Sequence, residues 1–290
     1  TPESSDIQRI LRYMADQKVD AVAMETSSHG LHQGRTLGCE FDCGVFTNIA
    51  RDHLDYHLTF ENYLDAKLML FRDYPRMSGK KFTAVLNADD PSWVRFKQET
   101  SGGVVTFGVS NPADVKASNA EVTDSSVSFD MAFDGQTRRV YMPIGGEFNV
   151  YNALGAAAVA HGLGVPEAAI IAGLEAVTGV PGRLERVDRG QPFGVLVDYA
   201  HSPDALANVL QTARGLKPRR LIVVFGCGGD RDRTKRPVMG RIATELADLT
   251  ILTSDNPRSE EPAAIIKEIE QGATAGRYQV EIDRGQALRR

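Results

Sequence analysis

The strongest constraint on this chain is a repeated alternation of short apolar runs with helix-period segments. Residues 5–18 read as a helix, VDAVAME (19–25) as a strand and CGVFTNI as a second strand. FENYLDAKLMLF then reads as a helix and FTAVLNADD as a strand ending in acidic residues. Such alternation favours a mainly parallel sheet with helices on both faces, because only a long crossover returns the chain parallel to itself. From about Val115 to Pro143 the texture changes to short alternating runs, AEVTD, VSFDMAF and RRVYMPI, broken by DSS and DGQ. That pattern predicts a small antiparallel insert or flap. A small-residue helix, NVYNALGAAAVAHGLG, and another through about Val177 follow, and the breaker GVPGR marks a boundary. A second series has strands FGVLVDYA, RLIVVFG, DLTILTSD and YQVEID, with helices near 203–214, 236–247 and 262–272. The fold class expected is α/β in two domains, residues 1–182 and 183–290.

Composition narrows function mainly by exclusion. A length of 290 residues suits about two domains, and 42% hydrophobic residues supply a large core. A net charge of −5 gives no basic footprint for nucleic acid. No apolar run approaches the ~20 residues of a membrane helix. Three cysteines make a disulfide framework improbable and suit a reducing cytoplasm. Cys39 and Cys43 have no second pair nearby, which favours packing over a metal site. The chain opens on TPESSDIQRI without an initiator Met, so an upstream part is expected to be missing.

In open α/β sheets ligands gather beyond the carboxyl ends of strands, and polar clusters stand at five such ends here. They are Glu25-Thr-Ser-Ser-His29-Gly, Ala-Arg-Asp52-His53-Leu-Asp55, Asp198-Tyr-Ala-His201, Gly-Cys-Gly-Gly-Asp230-Arg-Asp232-Arg-Thr-Lys235 and Ser-Asp255-Asn256-Pro-Arg258. Glu25 and His53 could share a divalent cation, since Mg²⁺ keeps several waters and needs few protein ligands; ordinary loop hydrogen bonds are the equal alternative. Lys67 interrupts the stripe Phe60, Tyr63, Leu64, Leu68, Phe71 on the core side of its helix. A snorkelling lysine explains this most simply; a buried amine of depressed pKa that takes up CO₂ explains it chemically. FGCGGDRDRTK is neither a Walker A loop nor a dinucleotide fingerprint, because Arg231 occupies the third glycine position of GxGxxG. Its cations nevertheless suit carboxylate or phosphate. Asn149 reads as a helix cap. Asn152, inside the first turn, offers an amide that can read an adenine edge.

Taken as an ordered set, these stretches resemble the Mur ligases of bacterial cell-wall synthesis, specifically the members that add diaminopimelate. The matching stretches are ETSSHGLHQGR, TNIARDHLDYH, YLDAKLMLF, GEFNVYNALGAAA, GVPGRLERV, VDYAHSPDAL, FGCGGDRDRTKRPVM and SDNPRSEEP. The resemblance implies a P-loop-type ATPase-like central domain before a Rossmann-like one. It implies that Ser27, Gln33 and Arg35 hold the UDP-muramyl substrate, with Thr1 at the end of another such contact. It makes Lys67 a carbamylated lysine, and Glu25 and His53 ligands of Mg²⁺. Asn149, Asn152, Arg183, Asp198 and His201 fall around the nucleotide. Asp255, Asn256, Pro257 and Arg258 form the diaminopimelate recognition motif, and Arg231 is a further contact to that amino acid. The family's phosphate loop and uridine-binding domain would precede Thr1, and a Gly- and Glu-containing segment would follow Arg290. The chain therefore reads as part of a longer ligase, inactive alone.

The implied reaction is ATP-dependent amide formation in peptidoglycan precursor synthesis. The partners are a UDP-N-acetylmuramoyl dipeptide (UDP-MurNAc-dipeptide), meso-diaminopimelate and ATP, acted on by a cytoplasmic monomer. Meso-diaminopimelate carries a distal carboxylate that lysine lacks, and a guanidinium can grip it with two parallel hydrogen bonds. Two other readings are a noncatalytic fragment of such a ligase and a different Mur or folylpolyglutamate-type ligase.

Overall fold

The computed structural model describes residues 1–290 except Asp134; of Asp55 only the backbone is described. One residue of the expected DGQ break and one side chain of the second polar cluster thus lie outside the described residues. By its contacts the chain divides into two compact units. The first comprises Thr1–Glu121, Ser128–Met142 and Phe148–Ala176, and the second Val122–Val127, Pro143–Glu147 and Val177–Arg290.

The elements of residues 1–175 are α1 (Ser4–Asp16), α2 (Ser28–His32), β1 (Cys43–Phe46), α3 (Leu54–His57), α4 (Phe60–Arg72), α5 (Tyr74–Met77), β2 (Thr83–Asn87), α6 (Trp93–Glu99), β3 (Gly103–Gly108), β4 (Val115–Val122), β5 (Val127–Phe133), β6 (Gln136–Met142), α7 (Phe148–Gly162) and α8 (Glu167–Glu175). Strands β1 to β6 form one sheet in sequence order. β1, β2, β3 and β4 pair in parallel, with Val85 beside Val45 and Val105. Period-two alternation sorts the sheet's faces. Ala84 and Leu86 join Leu64, Leu68 and Phe71 of α4 and Phe96 of α6 in one core cluster. On the other face α7 packs on β2 and β3, and its small residues Ala153, Ala157 and Ala158 are buried against them. The expected insert is not a separate flap: β4 pairs with β3 through Phe107↔Val115 and Gly108↔Lys116, so the sheet runs on through β4, β5 and β6.

VDAVAME is not a strand. β1 pairs with β2 and no second neighbour among the described residues, and Val19 and Val22 are exposed. A strand needs a ladder partner for its N–H and C=O groups, and here β propensity has none to pair with.

The remaining elements are β7 (Glu185–Arg186), β8 (Leu196–Val197), α9 (Pro203–Gly215), β9 (Ile222–Phe225), α10 (Lys235–Leu246), β10 (Leu249–Leu252), α11 (Pro262–Glu270), β11 (Tyr278–Val280) and α12 (Arg284–Arg289). A parallel sheet ordered β11-β10-β9 packs against α9, α10 and α11 through Leu206, Leu210, Phe225, Met239, Leu252 and Ile266. FGVLVDYA contributes only β8, which pairs antiparallel with β7 instead of extending that sheet. The hairpin partner lies close in sequence, so it costs little loop entropy.

Candidate functional site

Seven of the residues singled out above occupy one corner of the first unit. Ser27 caps α2, its hydroxyl accepting from Gly30 N–H at 3.1 Å. The Ser27 N–H donates to Thr1 Oγ1 at 2.9 Å, and Thr1 Oγ1 lies 3.3 Å from the Glu25 carbonyl. Arg35 reaches back to the Thr1 carbonyl at 3.2 Å and to Glu3 at 3.3 Å. Gln33 donates to the Tyr56 hydroxyl at 3.1 Å, and that hydroxyl also meets His32 Nδ1 at 2.9 Å. His53 is held at φ +55°, a left-handed conformation uncommon for a side chain of this kind. Its ring lies 4.9 Å from that of His29 and 5.9 Å from that of Tyr63.

Lys67 is partly buried. Leu64, Leu68 and Phe71 on either side are buried, and its ammonium sits 5.1 Å from the centre of the Tyr63 ring. Burial pushes its pKa down, while the Glu25 and Asp52 carboxylates pull it partly back. Buried His57 bonds Ser28 Oγ at 3.0 Å. Burial, and then the neighbouring His29, His32, His53 and Lys67, lower its pKa. The corner is thus built of rings and hydroxyls around an amine whose charge burial disfavours. Among the described residues no three His, Cys, Asp or Glu side chains converge as a metal site.

Asn149 is buried and accepts from Asn152 Nδ2 at 3.0 Å. Asn152 lines a cavity of about 370 Å³ with Thr47, Asn48, Asn87, Phe107 and Tyr151, among others. Asp89 forms part of its wall. Burial opposes the Asp89 charge, but N–H groups of Ser110, Val109 and Asn111 and the Tyr151 hydroxyl outweigh it and hold its pKa low. Sequence reading assigned no role to Asn87, Asp89 or Tyr151. The signal available was the acidic end of FTAVLNADD.

In the second unit Asp198 accepts from Leu184 N–H at 2.9 Å and from Ala200 N–H at 2.8 Å. Arg183 lies over the Tyr199 ring at 5.6 Å, and Lys235 donates to the His201 carbonyl at 2.7 Å. The second corner of this unit joins the glycine loop after β9 to the Asp255–Arg258 turn after β10. Gly229 N–H donates to the Asn256 carbonyl at 2.9 Å. The approach is so close that a Cβ on Gly229 would lie 1.9 Å from the Pro257 carbonyl oxygen, and one on Gly226 2.2 Å from that of Thr253. Arg258, at φ +51°, lays its guanidinium on the loop and donates to the Gly229 carbonyl. Asp230 accepts from the Ser259 hydroxyl at 2.7 Å and its N–H at 3.1 Å. Asp255 pairs loosely with Arg284 at 3.9 Å. Arg231 is exposed.

Sequence reading missed Arg236 altogether. It is fully buried and donates to both oxygens of Glu260, at 2.9 and 2.7 Å, to Glu268 at 2.8 Å and to the Gly228 carbonyl at 3.2 Å. Those hydrogen bonds, and then the Asp230 N–H, hold the Glu260 carboxyl down to about 2.

Two α/β units, each with charged loops at strand ends, the second Rossmann-like, make up the chain. Residues 1–160 match the family model of the Mur ligase middle domain, and residues 182–290 that of the Mur ligase, glutamate ligase domain. The chain belongs to the Mur ligase family. It is 49% identical, over 99% of its length, to the UDP-N-acetylmuramoyl-L-alanyl-D-glutamate–2,6-diaminopimelate ligase of Bacillus licheniformis, and 45% identical over 100% to the enzyme of that name from Clostridium tetani; it covers 59% of each. A solved structure of a ligase of the same name is 36% identical with a TM-score of 0.67, over 99% of this chain and 59% of that one. The chain spans about three-fifths of these relatives. The folylpolyglutamate synthase of Mycobacterium tuberculosis, complexed with ADP, shares the fold at 21% identity with a TM-score of 0.70, over 86% of this chain and 55% of that one.

Proposed function

We propose that the polypeptide containing this chain is an ATP-dependent ligase that joins meso-diaminopimelate to UDP-N-acetylmuramoyl-L-alanyl-D-glutamate. The domain boundary lies at 182/183, the protein is a cytoplasmic monomer, and this chain alone is inactive. One observation carries the substrate assignment: the Arg258 guanidinium, in the turn after β10, is braced on the Gly229 carbonyl in the loop after β9, where a distal carboxylate can be gripped. The near-full-length identity to ligases bearing that name supports the same reading.

The substrate's glutamyl carboxylate oxygen attacks the γ-phosphorus of ATP, and the bond to the bridging oxygen breaks to release ADP. The amine of diaminopimelate then attacks the acyl carbon, and the tetrahedral adduct collapses to amide and phosphate with loss of a proton. Thr1, Ser27, Gln33 and Arg35 hold the muramyl substrate. Asn149, Asn152, Arg183, Asp198 and His201 hold the nucleotide, with the base beside Asn152 in the cavity. Asp255, Asn256, Pro257, Arg258 and Arg231 hold the amino acid.

A divalent cation fits the first corner on the chemistry of its donors. Glu25 and His53 supply a carboxylate and an imidazole, and the depressed Lys67 amine can take up CO₂ and present a carbamate instead of a cation. Mg²⁺ bound by Glu25, His53 and that carbamate would neutralise phosphate charge. The carbamate also removes a positive group that would repel the metal.

Arg258→Ala in the intact polypeptide tests the assignment. Loss of a charge-assisted contact costs ~1.5–3 kcal/mol, so diaminopimelate use should fall about ten- to hundredfold while ATP binding is nearly unchanged. Equal losses for both substrates refute the role given to Arg258.

A further inference from the structure

Arg258 is held from two sides, and both holds lead to one side chain outside the proposed contact set. The carbonyl beneath its guanidinium is that of Gly229, and the neighbouring Gly228 carbonyl accepts from Arg236. Two residues beyond Arg258, Glu260 takes a two-pronged bond from the same Arg236. Glu260 also accepts from Asp230 N–H at 2.6 Å, and Asp230 in turn holds Ser259. Arg236 has no exposed surface, so no substrate can reach it. A buried guanidinium is retained at a desolvation cost, and its planar fork fixes direction as well as distance.

We propose that Arg236 is a positioning residue for amino-acid recognition: by clamping Gly228 and Glu260 together it sets where the Arg258 guanidinium points. Glu268 anchors the clamp to α11. The inference rests on the diaminopimelate reading above. Among the described residues Arg236, Glu260 and Glu268 make no hydrogen bond to Arg183, Asp198 or His201, and Lys235 beside Arg236 reaches only the His201 carbonyl, so loss of the clamp should appear mainly in one substrate. A displacement of about 1 Å at a recognition group can cost up to about a hundredfold.

The test measures KM for meso-diaminopimelate and for ATP, with melting temperature, in the intact polypeptide carrying Arg236→Lys, Glu260→Gln or both. Lysine keeps the charge but cannot hold two partners in a fork. Glutamine keeps the shape of Glu260 but accepts through only one oxygen, and it covers the case in which the buried substitution does not fold. The expected result is a rise of about ten- to hundredfold in KM for diaminopimelate, a change below about twofold for ATP, and a double variant no worse than the worse single one. Folded variants with an unchanged diaminopimelate KM, or with both KM values raised in parallel, overturn the inference. Arg258→Ala separates the two levels. If wild type ignores diaminopimelate, or Arg258→Ala uses it normally, the functional reading itself falls. If Arg258→Ala loses it and Glu260→Gln does not, only the clamp falls.

Discussion

The two corners that carry the proposed chemistry are built on opposite plans. Around Lys67 the walls are imidazole and phenol rings, and the charge at the centre is destabilised by burial. Around Arg258 two loops are locked by ion pairs and backbone contact, with glycines where a side chain would collide. Desolvation prepares a group to change its chemical state. A network of charged hydrogen bonds prepares a group to stay where it is. The contrast matches the roles proposed: one corner must alter a lysine and hold a metal, the other must tell one diamino acid from its neighbour by position.

Three changes would break or sharpen that contrast. The largest effect is expected at Lys67. Lys67→Ala should abolish ligase activity, bicarbonate should not restore it, and a short-chain carboxylic acid should restore part of it. A carbamate carbon in the ¹³C spectrum of wild type under ¹³CO₂, absent from the variant, gives a readout apart from turnover; wild-type activity in Lys67→Ala would remove the carbamate from the scheme. The next effect is expected at Gly229. Gly229→Ala forces apart the two loops at the Pro257 carbonyl and should cost ~1–3 kcal/mol of stability, seen as a lowered melting temperature with diaminopimelate use lost before ATP use. An unshifted melting temperature with normal selectivity would show that the loops need not touch.

The smallest effect concerns acid. Glu260 has its carboxyl held at about 2 in the fold against an ordinary value of 4.5. Its contribution to stability is therefore complete above pH 4.5 and is lost as pH falls through about 2. Denaturant unfolding of wild type and Glu260→Gln should differ most above pH 4.5 and converge towards pH 2. Parallel curves over that interval would mean that the clamp carries no linkage.

The core of the first unit was readable from local pattern. The stripe of Leu64, Leu68 and Phe71 specifies the buried face of α4, because a period of 3.6 needs only neighbouring residues, and TAVLN, buried on both faces, reads as a short continuous apolar run. VDAVAME shows the limit of the same reasoning: its β propensity was legible, but pairing depends on a strand beside it. Lys67 shows another. Its place on an apolar stripe was visible, whereas the balance between burial, which lowers its pKa, and the Glu25 and Asp52 carboxylates, which raise it, needed the fold to be assembled.

Sequence alone determined the α/β alternation, the glycine loop and the Asp-Asn-Pro-Arg turn, all encoded by residues adjacent in the chain. Only the tertiary structure decided that Arg236 is buried, that Glu260 and Glu268 are its partners, and that Arg258 rests on Gly229. Those contacts join residues 24 to 32 positions apart. A charged residue at the start of an amphipathic helix reads as solvent-facing until the chain folds over it, since desolvation is a property of the packed neighbours and not of the residue.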